Sequence, residues 1–119
     1  MVDRSQAIYD AALRAQTAGL VLAGGRGARM YEVDKGLQLL QGEPLVAHVV
    51  RRLTTHVAKV FISANRNQER YASYGVTVSD DESLGAFQGP LAGLASGLAA
   101  WSGQWLVTVP CDSPFLPEL

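Results

Sequence analysis

The apolar run Ala18 to Leu22 passes directly into Ala23-Gly24-Gly25-Arg26-Gly27, and this junction constrains the fold more than any other part of the chain. The run reads as a buried first strand. The glycines behind it have no Cβ, so main-chain N–H groups there can approach phosphate oxygens closely. Arg29 and Lys35 follow within ten residues of Gly25. They can neutralise phosphate charge, arginine as a planar fork and lysine as a compact point charge. Strand, glycine turn and basic tail together look like a nucleoside triphosphate site. The sequence lacks the Gly-Lys-Ser/Thr that closes a Walker loop. It also lacks GxGxxG, because Ala28, Arg29 and Met30 follow Gly27. A glycine pair alone marks an ordinary turn. The site reading rests on the convergence of Arg29, Asp34 and Lys35 around that turn.

The rest of the composition narrows the class. The chain has 119 residues, a formal net charge of −1 and 48% hydrophobic residues, which suits one small domain with a real core. The near-neutral balance gives no electrostatic case for nucleic-acid binding. No apolar run reaches the roughly 18 residues that a membrane span needs. The N-terminal segment carries Asp3 and Asp10 and makes a poor signal peptide. Cys111 is the only cysteine, so no internal disulfide can form, and a reducing, cytoplasmic setting is expected.

Residues 3–16 place Ile8, Ala11, Ala12 and Ala15 at helical spacing and predict a short helical extension, with 1–17 set apart from a nucleotide-binding α/β domain over 18–119. The first strand is expected over 18–22, with a short extended piece over 36–40 before the Gln41-Gly42-Glu43-Pro44 turn. Pro44 suits a first helical position. Leu45, Val46, Val49, Val50, Leu53 and Val57 then mark one buried helical stripe. A second strand is expected over 58–63, a short helix over 68–73 stopped by Gly75, and a third strand over 76–79. The region from Asp80 to Gly89 reads as irregular. Pro90 opens another helix, whose Leu91, Leu94, Leu98 and Trp101 share one face, and a fourth strand covers 105–109. Strands separated by helices predict a mostly parallel sheet with right-handed crossovers and helices on both faces.

Ligands of open parallel sheets bind beyond the carboxyl ends of the strands. Gly24 and Gly25 follow the first strand, Asn65 the second, Asp81 the third and Asp112 the fourth. His48 and His56 suit packing or capping better than acid–base work, and Cys111 suits a small buried hydrophobe. Trp101 and Trp105 suit core or strand positions.

The fragments LAGGRGARMYEVDKGL, QGEPLVAHV, SANR, GPLAGL and PCDSPFLP, in this order, closely resemble molybdenum cofactor guanylyltransferase. The resemblance covers about Ala18 to Leu119. It implies a Rossmann-like nucleotidyltransferase fold that transfers GMP from GTP to molybdenum-molybdopterin, with magnesium as cofactor and pyrophosphate released. The contiguous Asp34-Lys35 and the tail from Cys111 to Leu116 favour this family over sugar-phosphate nucleotidyltransferases. They also favour it over the related cytidylyltransferase, which tends to carry LAAG. By position, the resemblance implies that Leu22, Ala23, Gly24 and Gly25 line the nucleotide. Lys35 would bind phosphates, Asp81 would contact the nucleotide, and Asp112 would hold both GTP and magnesium. Ser63 stands where the family often has Asn, with Asn65 as a nearby alternative. Other cofactor-biosynthesis proteins or recipient molybdoenzymes are the implied partners. Family members continue past the Pro-Phe-Leu-Pro segment, so the resemblance is to an N-terminal part, truncated at the C-terminus.

Attack on the α-phosphorus of GTP brings anions together, so catalysis is mostly positioning and charge stabilisation. Arg29 and Lys35 would offset charge on the leaving pyrophosphate. Asp112 suits magnesium, which takes one or two carboxylates plus phosphates and water. CTP or a sugar phosphate as substrate, or a nucleotide-binding module without turnover, are the alternatives.

Overall fold

The computed structural model describes residues 4–23, 34–78 and 90–112. Along the chain run α1 (Arg4–Ala15), β1 (Thr17–Leu22), a 3-10 turn (Lys35–Leu37), β2 (Leu39–Leu40), β3 (Glu43–Pro44), α2 (Leu45–Leu53), β4 (Lys59–Ser63), α3 (Gln68–Tyr71), β5 (Val76–Val78), α4 (Pro90–Ala100) and β6 (Trp105–Pro110). Four strands form one parallel sheet in the order β5-β4-β1-β6, and β2 and β3 form a separate antiparallel hairpin.

β1 lies at the centre of the sheet, paired on one edge with β4 and on the other with β6. It is also covered on both faces, with Thr17 to Val21 buried. A strand without a wet face has no need to alternate, which is why this segment reads as a continuous apolar run. On one face Val21, Val60, Ile62 and Val109 meet Val46, Val49, Val50 and Leu53 of α2 and Tyr71 of α3. On the other, Ala18, Leu20 and Phe61 pack with Leu106 and Trp101, beside α4. Helices on both faces of a parallel sheet make the expected doubly wound architecture.

Local chemistry explains the elements that carry the site. Gln41 and Gly42 both take positive φ, 53° and 81°, which a two-residue hairpin turn requires, and this reverses the chain between β2 and β3. His48 donates from Nε2 to the Leu40 carbonyl at 2.8 Å, tying α2 to the hairpin. Pro44 is the residue just before α2 rather than its first turn. The stripe on α2 is buried as expected, but the helix ends at Leu53, and Val57 reaches the core from the turn beyond. The piece read as extended over 36–40 begins instead as the 3-10 turn, with the strand confined to Leu39–Leu40. The short helix ends at Tyr71, two residues earlier than its spacing suggests. Ser79 and the irregular stretch to Gly89 lie outside the described residues.

The packing face of α4 departs from its apolar pattern. Leu98 is 58% exposed, whereas Gly93 and Gly97 are buried. A Cβ on Gly93 would come within 2.7 Å of Ser63 Oγ, and one on Gly97 within 2.7 Å of Leu20 Cδ2. The helix therefore lies against the sheet through two glycines spaced one turn apart. Trp101 continues that line and meets Phe61 edge-on, with ring centroids 6.2 Å apart. Of the apolar face expected from the sequence, Trp101 packs and Leu98 does not, because the closest approach to the sheet is made by glycines, the residues with least volume. α1 is joined to this body by its last turn, where Thr17 Oγ1 donates to the Leu13 carbonyl at 2.6 Å and Arg14 Nη2 donates to the Thr54 carbonyl at 3.0 Å. Its residues from Gln6 onward are exposed. Among the described residues no helix is long and apolar enough to cross a membrane.

This packing predicts opposite outcomes for neighbouring substitutions. Alanine gains about 1 kcal/mol of helix propensity over glycine, but overpacking a dense core costs about 1–3 kcal/mol. Because Leu20 is fully buried and cannot swing aside, Gly97→Ala is expected to lower stability in urea unfolding. Leu98→Ala is expected to leave it within about 0.5 kcal/mol, as for other exposed sites.

Candidate active site

Numbering only the sheet strands in chain order, β1, β4, β5 and β6 are the first to fourth, and their spatial order is 3-2-1-4. Chain direction across the sheet reverses between β1 and β6, which is the position where doubly wound folds open a crevice beyond the strand ends. The carboxyl ends are held level by main-chain bonds. Ala64 N donates to the Val78 carbonyl at 3.0 Å, Ala23 N to the Ser63 carbonyl at 2.9 Å, and Cys111 N to the Leu22 carbonyl at 3.2 Å. Ala64, Ala23 and Cys111 thus form a row, and the next residues, Asn65 and Asp112, are exposed beyond it. Strands spaced about 4.8 Å apart put those two side chains on either flank of the β1 end.

Lys35 reaches this edge from far along the chain. The turn that carries it is closed by Leu37 N donating to the Asp34 carbonyl at 3.1 Å and Gln38 N to the Lys35 carbonyl at 3.2 Å. Gly36, the middle residue of that turn, is buried against β6. A Cβ there would stand 3.2 Å from both Cβ and Sγ of Cys111 and 2.5 Å from the Tyr71 hydroxyl. The contact brings the exposed Lys35 and the exposed Asp112 to the same end of the sheet, each adjacent in sequence to one of the two touching residues.

The electrostatics of Cys111 agree. Burial, followed by the charges of Asp112 and Asp34, pushes its thiol from 9.0 up to about 11, with Lys35 acting in the opposite direction. One sulfur feels all three groups. The thiol is a small buried side chain beneath the site, as its residue type suggests.

Asp34 has a different setting. Tyr71 donates its hydroxyl to Oδ1, and Asn67 Nδ2 donates to Oδ2 at 2.9 Å. Arg66 Nε lies 3.8 Å from the same Oδ2. Burial and then the Asp34 carboxylate raise the Tyr71 pKa far above the ordinary phenol value, so the hydroxyl remains a donor. Asn67 holds a left-handed conformation, φ 55° and ψ 30°, and its side chain bonds Asp34 instead of capping α3. Beside the cluster an open groove of about 440 Å³ is lined by Asp34, Leu37, Gln38, Leu39, Arg66, Asn67 and Arg70.

Of the residues singled out in the sequence, Leu22, Ala23, Lys35, Asn65 and Asp112 meet at the carboxyl edge of the sheet. Ser63 belongs to β4, 2% exposed, and its Oγ lies beneath Gly93 of α4. Gly24, Gly25, Arg29 and Asp81 lie outside the described residues. Gly36, Asn67 and Tyr71 carried no signal in the sequence, because their partners are distant: Tyr71 and Asp34 are 37 positions apart. Among the described residues no group of three or more His, Cys, Asp or Glu side chains could enclose a metal. A single exposed carboxylate such as Asp112 fits magnesium, which keeps most of its shell as water and substrate oxygens.

A doubly wound sheet with its polar residues gathered at the switch point is a fold shared with solved structures. The chain aligns with a CMP:2-keto-3-deoxy-manno-octonic acid synthetase complexed with CTP at a TM-score of 0.69 and 16% identity, covering 87% of this chain and 43% of that one. The 4-diphosphocytidyl-2C-methyl-D-erythritol synthase of Anaerococcus prevotii aligns at 0.61 and 15%, covering 87% and 46%. These likenesses concern the fold alone. Residues 19–119 match the model of the MobA-like NTP transferase domain, and the chain belongs to that family. Over 104 residues it is 53% identical to the molybdenum cofactor guanylyltransferase of Cupriavidus taiwanensis, covering 87% of this chain and 52% of that protein. It is 52% identical over 99 residues to the one from Ralstonia pickettii, covering 83% and 48%. The chain spans about half the length of these relatives.

The Cys111 environment yields a chemical test. The raised value favours the protonated thiol in the folded chain, so its stabilising contribution is complete below about pH 9 and is lost as pH rises toward 11. Without added divalent cation, iodoacetamide near pH 8 should alkylate Cys111 in the folded chain about 100-fold more slowly than in urea, following the thiolate fraction. Equal rates, measured by mass spectrometry, would contradict the buried environment.

Proposed function

We propose that this site binds GTP and transfers its GMP unit to molybdenum-molybdopterin, forming the guanine dinucleotide cofactor and releasing pyrophosphate. The observation that carries the reading is the Gly36–Cys111 contact, which puts Lys35 and Asp112 at one end of the sheet. Family membership and relatives named molybdenum cofactor guanylyltransferase support the choice of reaction.

The chemistry asks for little beyond arrangement. An acceptor phosphate oxygen attacks the α-phosphorus as the bond to the bridging oxygen breaks, and pyrophosphate leaves with the added negative charge. Donors fixed in advance at the positions where charge develops lower the barrier without reorganising. The Lys35 ammonium meets the outgoing phosphates as a point charge. Arg29, in the glycine-rich segment that follows β1 in the sequence, is assigned the same task, with Gly24 and Gly25 supplying main-chain donors. Asn65 and Asp81 are assigned to the nucleoside. Ser63, buried beneath Gly93, is assigned to support of the strand end rather than to contact with the nucleotide. Asp112 would hold magnesium, which when bound neutralises phosphate charge and orients the triphosphate. The roles need no protein nucleophile.

Removing a charge-assisted contact to a phosphate costs at least about 10-fold in affinity. Lys35→Ala and Asp112→Ala are therefore each expected to weaken GTP binding by that factor or more in calorimetry with magnesium present. Unchanged affinity in both would defeat the site assignment. Pyrophosphate release compared across the four nucleotides tests the base, with GTP expected to lead; preference for CTP would overturn the guanine assignment. GTP binding without product, in the presence of the acceptor, would make the chain a binding unit rather than a complete transferase.

A further inference from the structure

The Asp34 carboxylate directly precedes Lys35, yet both of its oxygens are already engaged: Oδ1 by the Tyr71 hydroxyl, Oδ2 by Asn67 Nδ2 at 2.9 Å with Arg66 Nε at 3.8 Å. Tyr71 is 0% exposed and belongs to the core beneath α2, so its hydroxyl is delivered from a fixed ring. That hydroxyl also touches the next turn of the chain, because a Cβ on Gly36 would lie 2.5 Å from it. The Cβ position of Gly36 thus faces both the Tyr71 hydroxyl and Cys111, so the turn bearing Lys35 packs closely against α3 and the residue that follows β6.

We propose that Tyr71 and Asn67 are positioning residues that aim Lys35 at the terminal phosphates of the nucleotide by holding Asp34, and that Asp34 is an anchor rather than a metal ligand. The inference rests on the reading that Lys35 contacts the triphosphate. Lysine carries a flexible four-carbon stem, so the direction of its ammonium depends on how firmly its own backbone is held. The backbone here is a single 3-10 turn, and one such turn is weak on its own. Its rigidity comes from three groups on other elements: a phenol, an amide and the wall of β6. Asn67 adds a sign of cost. It occupies a left-handed conformation that is uncommon for non-glycine residues, and it leaves α3 uncapped in order to reach Asp34. Strain of this kind persists where surrounding structure demands it, often at functional sites.

The test uses the full chain and calorimetry with GTP and GMP at constant magnesium. Tyr71→Phe keeps the ring and deletes the donor. It is expected to weaken GTP about 10-fold while leaving GMP unchanged, since a bond to a charged group is lost and only the outer phosphates depend on Lys35. In combination with Lys35→Ala it should add less than about twofold, because residues acting through one group are not additive. Asn67→Gly supplies an independent variant. Glycine accepts the left-handed conformation without strain, so the melting temperature should hold or rise while GTP affinity falls about threefold from the lost donor. Equal losses on GTP and GMP, a fully additive double variant, or unchanged GTP affinity in both single variants would overturn the positioning role. Tighter magnesium binding in Tyr71→Phe would overturn it as well, by making the released Asp34 a ligand. If the unsubstituted chain binds no GTP, the phosphate reading falls and this proposal with it; if it binds GTP and the variants behave as wild type, only this proposal falls.

Discussion

The structure depends on β1 having neither a free edge nor a wet face. Its main chain is shared between β4 and β6, and its side chains divide between two apolar layers, one beneath α2 and α3 and one beneath α4. Removing such a strand from water on both sides is a large apolar contribution, and it leaves the chain one exit, at the carboxyl edge. That exit lies beside the end of β6, where the winding direction reverses. The same burial that stabilises the sheet therefore fixes the point at which the chain leaves it, at the end of β1 beside Cys111.

Glycine serves the architecture through close approach more than through turns. Gly93 and Gly97 allow α4 to lie against Ser63 and Leu20, and Gly36 allows the lysine-bearing turn to lie against Cys111. In each case a side chain would separate two layers by the width of a methyl group. The consequence at the site is chemical. A basic residue and an acidic residue 77 positions apart (112 minus 35) reach one end of the sheet, and a buried thiol between them registers the charge of both. The proposed function needs that proximity, because one triphosphate would have to meet both groups.

Membership of the MobA-like NTP transferase family rests on a match over residues 19–119 and on relatives about 52–53% identical, while the structural neighbours, at 15–16% identity, speak only for the shared winding. The chain covers about half of those relatives, so the full reaction and its acceptor are assigned as a proposal, whereas the nucleotidyltransferase class follows from the sequence match. Within the fold, the 3-10 turn at Lys35 and the hairpin turn at Gln41-Gly42 lead into α2 in few residues. The contact of Gly36 with Cys111 keeps the lysine near the strand end.

By itself the sequence determined the four strands of the parallel sheet, the order in which helices separate them, the stripe on α2 and the family, since each is written in local periodicity or in contiguous motifs. Lys35 and Asp112 were singled out for the same reason. Only the tertiary structure decided which face of α4 packs, that Ser63 lies beneath Gly93, and that Asp34 is held by Tyr71 and Asn67. Those facts depend on volumes and donors meeting across the sheet, between residues 30 or more positions apart for Ser63–Gly93, Asp34–Asn67 and Asp34–Tyr71. A pattern of neighbours along a chain carries no record of such meetings, because they exist only after the layers have closed.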